Sequence, residues 1–361
     1  MRLHLTNVTG IGASKLLESL LPVIEQNKLT KINCIYLPNK GSLMNYKSIN
    51  KFAKICIYNR FLPNLVSRFL ECTFLSYKFN GPDPLLVLGD IPLRVKCSQI
   101  VFVQQSHLIK PNIFNWKISY FKYTIARLIF RLNLNKVNAF IVQSNIMKAR
   151  LEGSYPSTKG KVHVVAQPVP IWLLNSGIKR VARINSNKSN LQLIYPSAAY
   201  PHKNHKLLSR INPRDNYPIS EAIITLDKNL NPAPHIPWVK CVGFLAPIEL
   251  IKMYSKVDGL IFLSKEESYG FPLVEAMFVG LPIICPNLPY ARNLCGAQGI
   301  YFNPDSQKSL LSAVKKLKIF LDSGWWPSWD YQMKNIPSNW GIVAKAMIEI
   351  TFNSSNVKKL N

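Results

Sequence analysis

Short runs in which nearly every side chain is apolar recur along this 361-residue chain, and stretches of helical pattern separate them. In the first half the runs are "RLHLTN", "KINCIYLP", "PLLVLG", "QIVFVQQ", "AFIVQS" and "KVHVVAQP", with helical segments such as "ASKLLESLLPVIEQ" and "SNIMKARLEG" between them. A strand apolar on successive residues offers neither face to water. It belongs in a parallel sheet covered by helices on both sides. The order of elements therefore predicts a doubly wound α/β fold.

The pattern breaks over residues 168–190, "PVPIWLLNSGIKRVARINSNKSN", which reads as an interdomain connection. A second series follows: "LQLIYPSA", a helix from about Asn204, "EAIITLD", "VKCVGFL", the helix "APIELIKMYSKV", "GLIFLS", a helix from about Phe271, "PIICPN" and "GIYFNP". Two long helices near 306–322 and 340–352 close the chain. With 361 residues and 48% hydrophobic content, the expectation is two Rossmann-like domains, 1–170 and 171–337, facing each other across a cleft.

Composition removes several function classes. The seven cysteines are scattered singly, which fits neither a disulfide framework nor a zinc site and points to thiols in a reducing cytoplasm. "MRLHLTNVTG" reads as a first strand and its loop, and no apolar run of about 20 residues is present, so a soluble or peripheral protein is expected. The net charge of +27 is uneven: residues 1–165 hold 23 basic and 6 acidic residues (+17), the remainder 22 and 12 (+10). Such a surface attracts polyanions, either nucleic acid or an anionic lipid face.

Two acids stand out against this charge. In "GLIFLSKEESYGFPLVEAMFVGLP" a strand ends near Ser264, a polar loop carries Glu267, and a helix begins near Phe271 with Pro272 in its first turn. Gly270 permits close backbone approach. The free first-turn N–H groups and the helix dipole form an anion site at the carboxyl end of a strand, above Ser268, Tyr269, Gly270 and Phe271. A carboxylate beside a phosphate repels it, so Glu267 and Glu275 are expected to address sugar hydroxyls. Acids at such junctions also serve as caps. In "LIYPSAAYPHKNHKLL" Lys203 stands at the predicted helix start, suited to neutralising a diphosphate or simply solvated.

The segment "EESYGFPLVEAMFVGLPII", with "NLPYARNLCG" and "YFNP", closely resembles the retaining glycosyltransferases of the two-domain GT-B fold, in particular the group that includes lipopolysaccharide and O-antigen sugar transferases. Their signature is two glutamates separated by seven residues around an aromatic-Gly-apolar-Pro core. The resemblance covers most of 190–325 and extends to the first half only in architecture. It implies that Glu275 binds a nucleotide ribose and that Glu267 contacts the donor sugar. Ser268 to Phe271 would hold sugar hydroxyls and phosphate, with Gly243 also on the donor side. It makes Lys203 the phosphate-binding lysine, although the arginine that often precedes it is missing from "PSAAY". It places Gly10 and Gly12 in a loop facing the diphosphate and acceptor, and a histidine at a mid-domain strand end where this chain has Gln104 or Gln105. His107 and Asp90 are neighbouring candidates. A helix at 338–355 would pack back on the first domain.

The implied reaction transfers a hexose from a nucleoside diphosphate sugar to a glycan or polyprenyl-diphosphate-linked acceptor. No Asp-x-Asp is present, so no cofactor or essential metal is expected. Segments 47–78 and 110–136 interleave Lys and Arg with aromatic and aliphatic residues, as at an anionic membrane surface, which would put the protein at the cytoplasmic face of the membrane. Nucleic acid is not an expected partner, for no recognition motif is visible. A sugar-nucleotide epimerase, a glycan phosphorylase and a non-catalytic partner subunit on the same scaffold remain alternatives.

Overall fold

A computed structural model of the chain describes residues 1–8, 10–60, 62, 64–109, 118–182 and 189–356, apart from the side chains of 11, 64, 118–122 and 356. One unit comprises Met1–Pro170 and Pro337–Asn361; the other is Ile171–Ile336.

In the first unit the strands are β1 (Arg2–His4), β2 (Cys34–Pro38), β3 (Lys54–Tyr58), β4 (Leu85–Val87), β5 (Gln99–Val103), β6 (Ala139–Val142) and β7 (Val162–Val164). They form one parallel sheet in the order β3-β2-β1-β4-β5-β6-β7. Every residue of β1, β4, β5 and β6 is buried, as their unbroken apolar runs require. Helix Ile11–Gln26 packs against the terminal helix Trp340–Asn356. That terminal helix is pinned by the Trp340 indole donating to the Val169 carbonyl (3.1 Å) and the Asn138 amide donating to the Ser354 carbonyl (3.2 Å).

β3 lies inside the segment 47–78 that the sequence offered as a membrane-binding stretch. It is an edge strand whose residues are largely exposed, so "KICIY" lacks the continuous apolar signature of its neighbours. Lys54 on this edge discourages pairing with another chain. Of the companion segment 110–136, residues 110–117 lie outside the described residues. The rest begins with helix Ile118–Asn133, which buries Ile129 and Phe130 and leaves Leu128 and Leu132 exposed.

In the second unit β8 (Leu191–Tyr195), β9 (Ile219–Ile224), β10 (Val239–Cys241), β11 (Gly259–Ile261), β12 (Ile283–Pro286) and β13 (Ile300–Phe302) form a parallel sheet in the order β10-β9-β8-β11-β12-β13. The order reverses between β8 and β11, so the loops leaving these adjacent strands turn to opposite sides and open a crevice.

Two sequence expectations fail here. No α-helix begins at Asn204; instead two short 3₁₀ segments, Pro201–Lys203 and His205–Arg210, flank it. Asn204 itself adopts the left-handed conformation (φ 57°, ψ 29°), and its amide donates to the Pro304 carbonyl (2.9 Å), which breaks the helical path. The stretch 168–190 is not all connection. Within it, Ile171–Leu174 is helical, and Arg180 binds the Val279 carbonyl through its own N–H and the Val257 carbonyl through its guanidinium. Residues 183–188 of that stretch lie outside the described residues.

Candidate functional site

The loops after β8 and β11 bring together two side chains that are 64 residues apart in sequence. Lys203 closes the 3₁₀ turn after β8. Its backbone is tethered by the Tyr195 hydroxyl, which donates to the Lys203 carbonyl (2.7 Å). Tyr195 is fully buried and packs edge-on against Phe262. From this anchor the Lys203 ammonium donates to Oε1 of Glu267 at 2.6 Å and lies 5.7 Å from the centre of the Phe262 ring. The side chains are 13% and 12% exposed, so the pair is sheltered but reachable from solvent. In the sequence these residues carry separate expected duties toward a diphosphate and a sugar; the structure pairs them with each other.

The segment around Glu267 is held by backbone bonds. The Lys265 N–H and the Ser264 hydroxyl both donate to the His202 carbonyl (2.8 and 3.2 Å), joining the two loops. The Tyr290 hydroxyl donates to the Ser264 carbonyl, and Lys265 pairs with Asp305. Beside them His205 shares a 2.7 Å bond with Ser197. Burial, then the charges of Lys203 and His202, push its imidazole down to about 4, so it is neutral at physiological pH.

Helix Phe271–Val279 starts as expected, with Gly270 as its cap at φ 96° and ψ 51°. The need for glycine here is conformational first: the backbone is left-handed, and a Cβ would also meet Leu294 at 3.2 Å. No side chain caps the helix and no acid lies in its first turn, so its opening N–H groups remain an anion-binding feature. Tyr269 is buried, with its ring against Phe271, while Ser268 is partly exposed.

Glu275, one turn into the helix, faces inward and is 7% exposed. Its Oε2 accepts a hydrogen bond from the Tyr254 hydroxyl at 2.7 Å. Burial pushes its carboxyl up to about 7, an effect the Tyr254 bond partly offsets. Tyr254, on helix Pro247–Lys256, is fully buried, and its own pKa is raised well above the usual value by burial and by Glu275. Sequence reasoning missed Tyr254. The available signal was a tyrosine on the apolar face of "APIELIKMYSKV", where a buried hydroxyl must find a partner. Gly243, after β10, sits at φ 80° with its N–H bonded to the Leu226 carbonyl (2.8 Å), which is the requirement of a turn.

The remaining candidates lie in the first unit. Gly10 caps helix Ile11–Gln26 with ordinary extended geometry (φ −80°, ψ 140°), and a Cβ on Gly10 or Gly12 would meet nothing within 4 Å. Neither glycine is there for a tight turn; both leave open space at a helix start. Asp90 is buried, with a left-handed backbone (φ 68°). Its Oδ1 accepts from the Gln104 and Gln105 N–H groups (2.5 and 2.9 Å), and its Oδ2 from the Gln105 side chain (3.0 Å). Burial pushes its pKa up to about 6. Asp90 thus braces the loop after β5. The Gln104 side chain donates to the Leu88 carbonyl (3.1 Å). The His107 ring lies 4.9 Å from that of Tyr123 at a tilt of 44°, and the His107 carbonyl accepts from Arg127 (2.9 Å). Among the described residues no group of three His, Cys, Asp or Glu side chains is placed to hold a metal ion.

Residues 221–318 match the family described as glycosyl transferases group 1. The O-antigen chain mannosyltransferase RfbU of Salmonella typhimurium is 22% identical over 253 residues, covering 65% of this chain and 67% of that protein. Among solved structures, sucrose-phosphate synthase from Thermosynechococcus elongatus has a TM-score of 0.68 at 13% identity over 98% of both chains. HepE from Anabaena, solved in complex with UDP and glucose, has a TM-score of 0.61 at 14% identity over 99% of both chains. At these identities the structural likenesses establish the fold, two parallel-sheet α/β domains of the GT-B type.

Proposed function

We propose that this chain, whose residues 221–318 match the glycosyl transferases group 1, is a retaining enzyme moving a hexose from a nucleoside diphosphate sugar to a glycan or polyprenyl-diphosphate-linked acceptor in O-antigen synthesis. The observation that carries this reading is the Lys203–Glu267 pair where β8 and β11 diverge. An ammonium has three donors, so Lys203 can keep Glu267 and still take oxygens of a diphosphate. With the uncapped donors of helix Phe271–Val279, it stabilises the charge that grows on the leaving phosphate. Glu267 then sits beside the sugar, and Glu275, oriented by Tyr254, accepts the ribose hydroxyls. The departing phosphate takes the acceptor's proton on the same face, so the sugar's configuration is kept and no separate base is needed. Lys203 and the helix supply the positive charge without a metal ion.

Because the relative RfbU is named a mannosyltransferase, mannose is the first sugar to test. We place the acceptor on the first unit and the protein at the cytoplasmic face of an anionic membrane. Supporting this, Phe52, Phe74, Tyr77 and Leu132 are exposed close in sequence to Lys51, Lys78 and Arg131. Among the described residues no helix is long and apolar enough to cross a membrane.

The decisive experiment is a thermal-shift panel of nucleoside diphosphate hexoses on the wild type, Lys203→Ala and Glu275→Ala. One member of the panel is expected to raise the wild-type Tm, and both substitutions are expected to abolish that rise. A rise that survives both substitutions places the donor elsewhere.

A further inference from the structure

The first sheet reverses its strand order between β1 and β4, and a second cluster of charge lies at that reversal. Arg60 follows β3, Arg68 lies on helix Asn64–Cys72, Asn7 follows β1, and Asp90 follows β4. Gly89 lets the β4 loop lie against Asn7, whose Cβ would be only 2.8 Å from a Cβ at that position.

The two arginines are treated very differently. Arg60 is paired with an acid. Its Nε and Nη2 donate to Oε2 of the buried Glu71 (2.9 and 2.6 Å), and Nη2 also donates to the Asn7 side-chain oxygen (2.6 Å). The other Glu71 oxygen is taken by the Thr6 hydroxyl, with the His4 Nε2 at 3.3 Å. Glu71 therefore has nothing left to offer a second cation. Arg68 has one long bond, from Nη2 to the Asn7 carbonyl (3.4 Å), and its buried Nε has no partner. The other acid whose charge reaches Arg68, Asp90, has both oxygens engaged by Gln104 and Gln105. Burial, and next the charge of Arg60, push the Arg68 guanidinium below its usual value. A partly buried guanidinium held beside a like charge, with its Nε unpartnered, is a cost that a bound anion would reduce. The neighbouring helix Ile11–Gln26 starts at the exposed Gly10 with no capping side chain and no acid in its first turn.

We propose that Arg68, set against the fixed Arg60, is the cation of an anion site in the first unit that receives a phosphate group of a substrate. A planar guanidinium suits a phosphate, which it binds through paired N–H donors. The positive charge of the site stands on this geometry alone; that its ligand is a substrate phosphate rests on the transferase reading above. The phosphate could belong to the acceptor's linkage or to the donor's diphosphate.

The test uses the full chain with Lys203→Ala as background, which silences the proposed donor site. Inorganic pyrophosphate binding is followed by calorimetry. Adding Arg68→Met is expected to weaken it about tenfold or more, with Arg68→Lys intermediate. Without ligand, Arg68→Met is expected to leave the Tm unchanged or raise it, because a partly buried cation with an unpartnered Nε is removed; a purely structural arginine would lower it. In otherwise wild-type protein, farnesyl diphosphate and a nucleoside diphosphate separate the sources. Loss of affinity for farnesyl diphosphate alone assigns the site to the acceptor, and loss for the nucleotide assigns it to the donor. Pyrophosphate affinity unmoved by Arg68→Met overturns the proposal. Failure of every nucleotide sugar to shift the wild-type Tm would instead sink the transferase reading and leave this site standing.

Discussion

Glu275 allows a quantitative test because burial and function pull its proton in opposite directions. In the fold its carboxyl is pushed from 4.5 up to about 7, chiefly by burial. A raised acid pKa means the native state holds a proton that the unfolded chain has released. The associated stability is complete below pH 4.5, is lost as pH rises toward 7, and is absent above it. The full change is about 3 kcal/mol. For a unit of this size that is roughly 6–12 °C in Tm. Glu275→Gln keeps the shape and an acceptor for Tyr254 but cannot ionise. Relative to this variant, the wild type should therefore lose several degrees of Tm between pH 5 and pH 8. Donor binding should run the other way, because ribose hydroxyls donate to the ionised carboxylate. Affinity for a nucleoside diphosphate sugar, which has no terminal phosphate proton near neutrality, should rise through about pH 7 in the wild type. The rise should vanish in Glu275→Gln. A Tm difference that is the same at pH 5 and pH 8 would show that Glu275 titrates as an ordinary exposed acid, and the argument for a buried ribose contact would fall.

Tyr254→Phe removes the hydroxyl facing Glu275 and should cost about 1–3 kcal/mol by denaturant melts at pH 8, with a smaller cost at pH 5 where the acid is already protonated. Equal costs at both pH values would mean that the bond does not depend on the charge. Gly270→Ala should destabilise by about 1 kcal/mol or more, since φ is 96° and Leu294 is 3.2 Å from the added carbon; an unchanged melt would contradict the left-handed cap. Transfer activity is expected to persist in excess EDTA, and a loss restored by added divalent ion would require a metal in the mechanism. Flotation with vesicles rich in anionic lipid should recover the protein at low salt and lose it at high salt; indifference to lipid charge would remove the membrane from the proposal.

What could be read in advance followed the strength of each local signal. Strands buried on both faces were legible as apolar runs, because nothing else in a doubly wound fold tolerates them. β3 was not, because its place at the sheet edge lets Lys54, Ile55 and Ile57 face water and mixes the pattern. The helix at Phe271 announced itself through Gly270 and Pro272. The expected helix at Asn204 was defeated by a tertiary bond to Pro304 that no local pattern encodes. The same limit applies to the site. Lys203 and Glu267 each stood out as loop residues after a strand, but their union depends on β8 and β11 being neighbours, which strand order decides. Tyr254, Arg68 and Glu71 looked like ordinary helix residues; only burial reveals which of them are matched and which are not.

The two sheets share the order 3-2-1-4-5-6 at their reversals, yet the reversals are furnished oppositely. In the second unit the acid facing Lys203 is sheltered but solvent-accessible, so water can reach the pair. In the first unit Glu71 is completely buried, and its three partners, Arg60, Thr6 and His4, cannot be exchanged without unfolding the site. Removing one member of such a buried network leaves an uncompensated charge, whereas parting a partly exposed pair exposes both ions to water or ligand. Burial of the acid, more than the identity of the cation, therefore separates Arg60, locked into its network, from Lys203, whose pair water can reach. Arg68 makes no ion pair with an acid among the described residues, and by that measure it stands with Lys203 as a candidate to take a ligand.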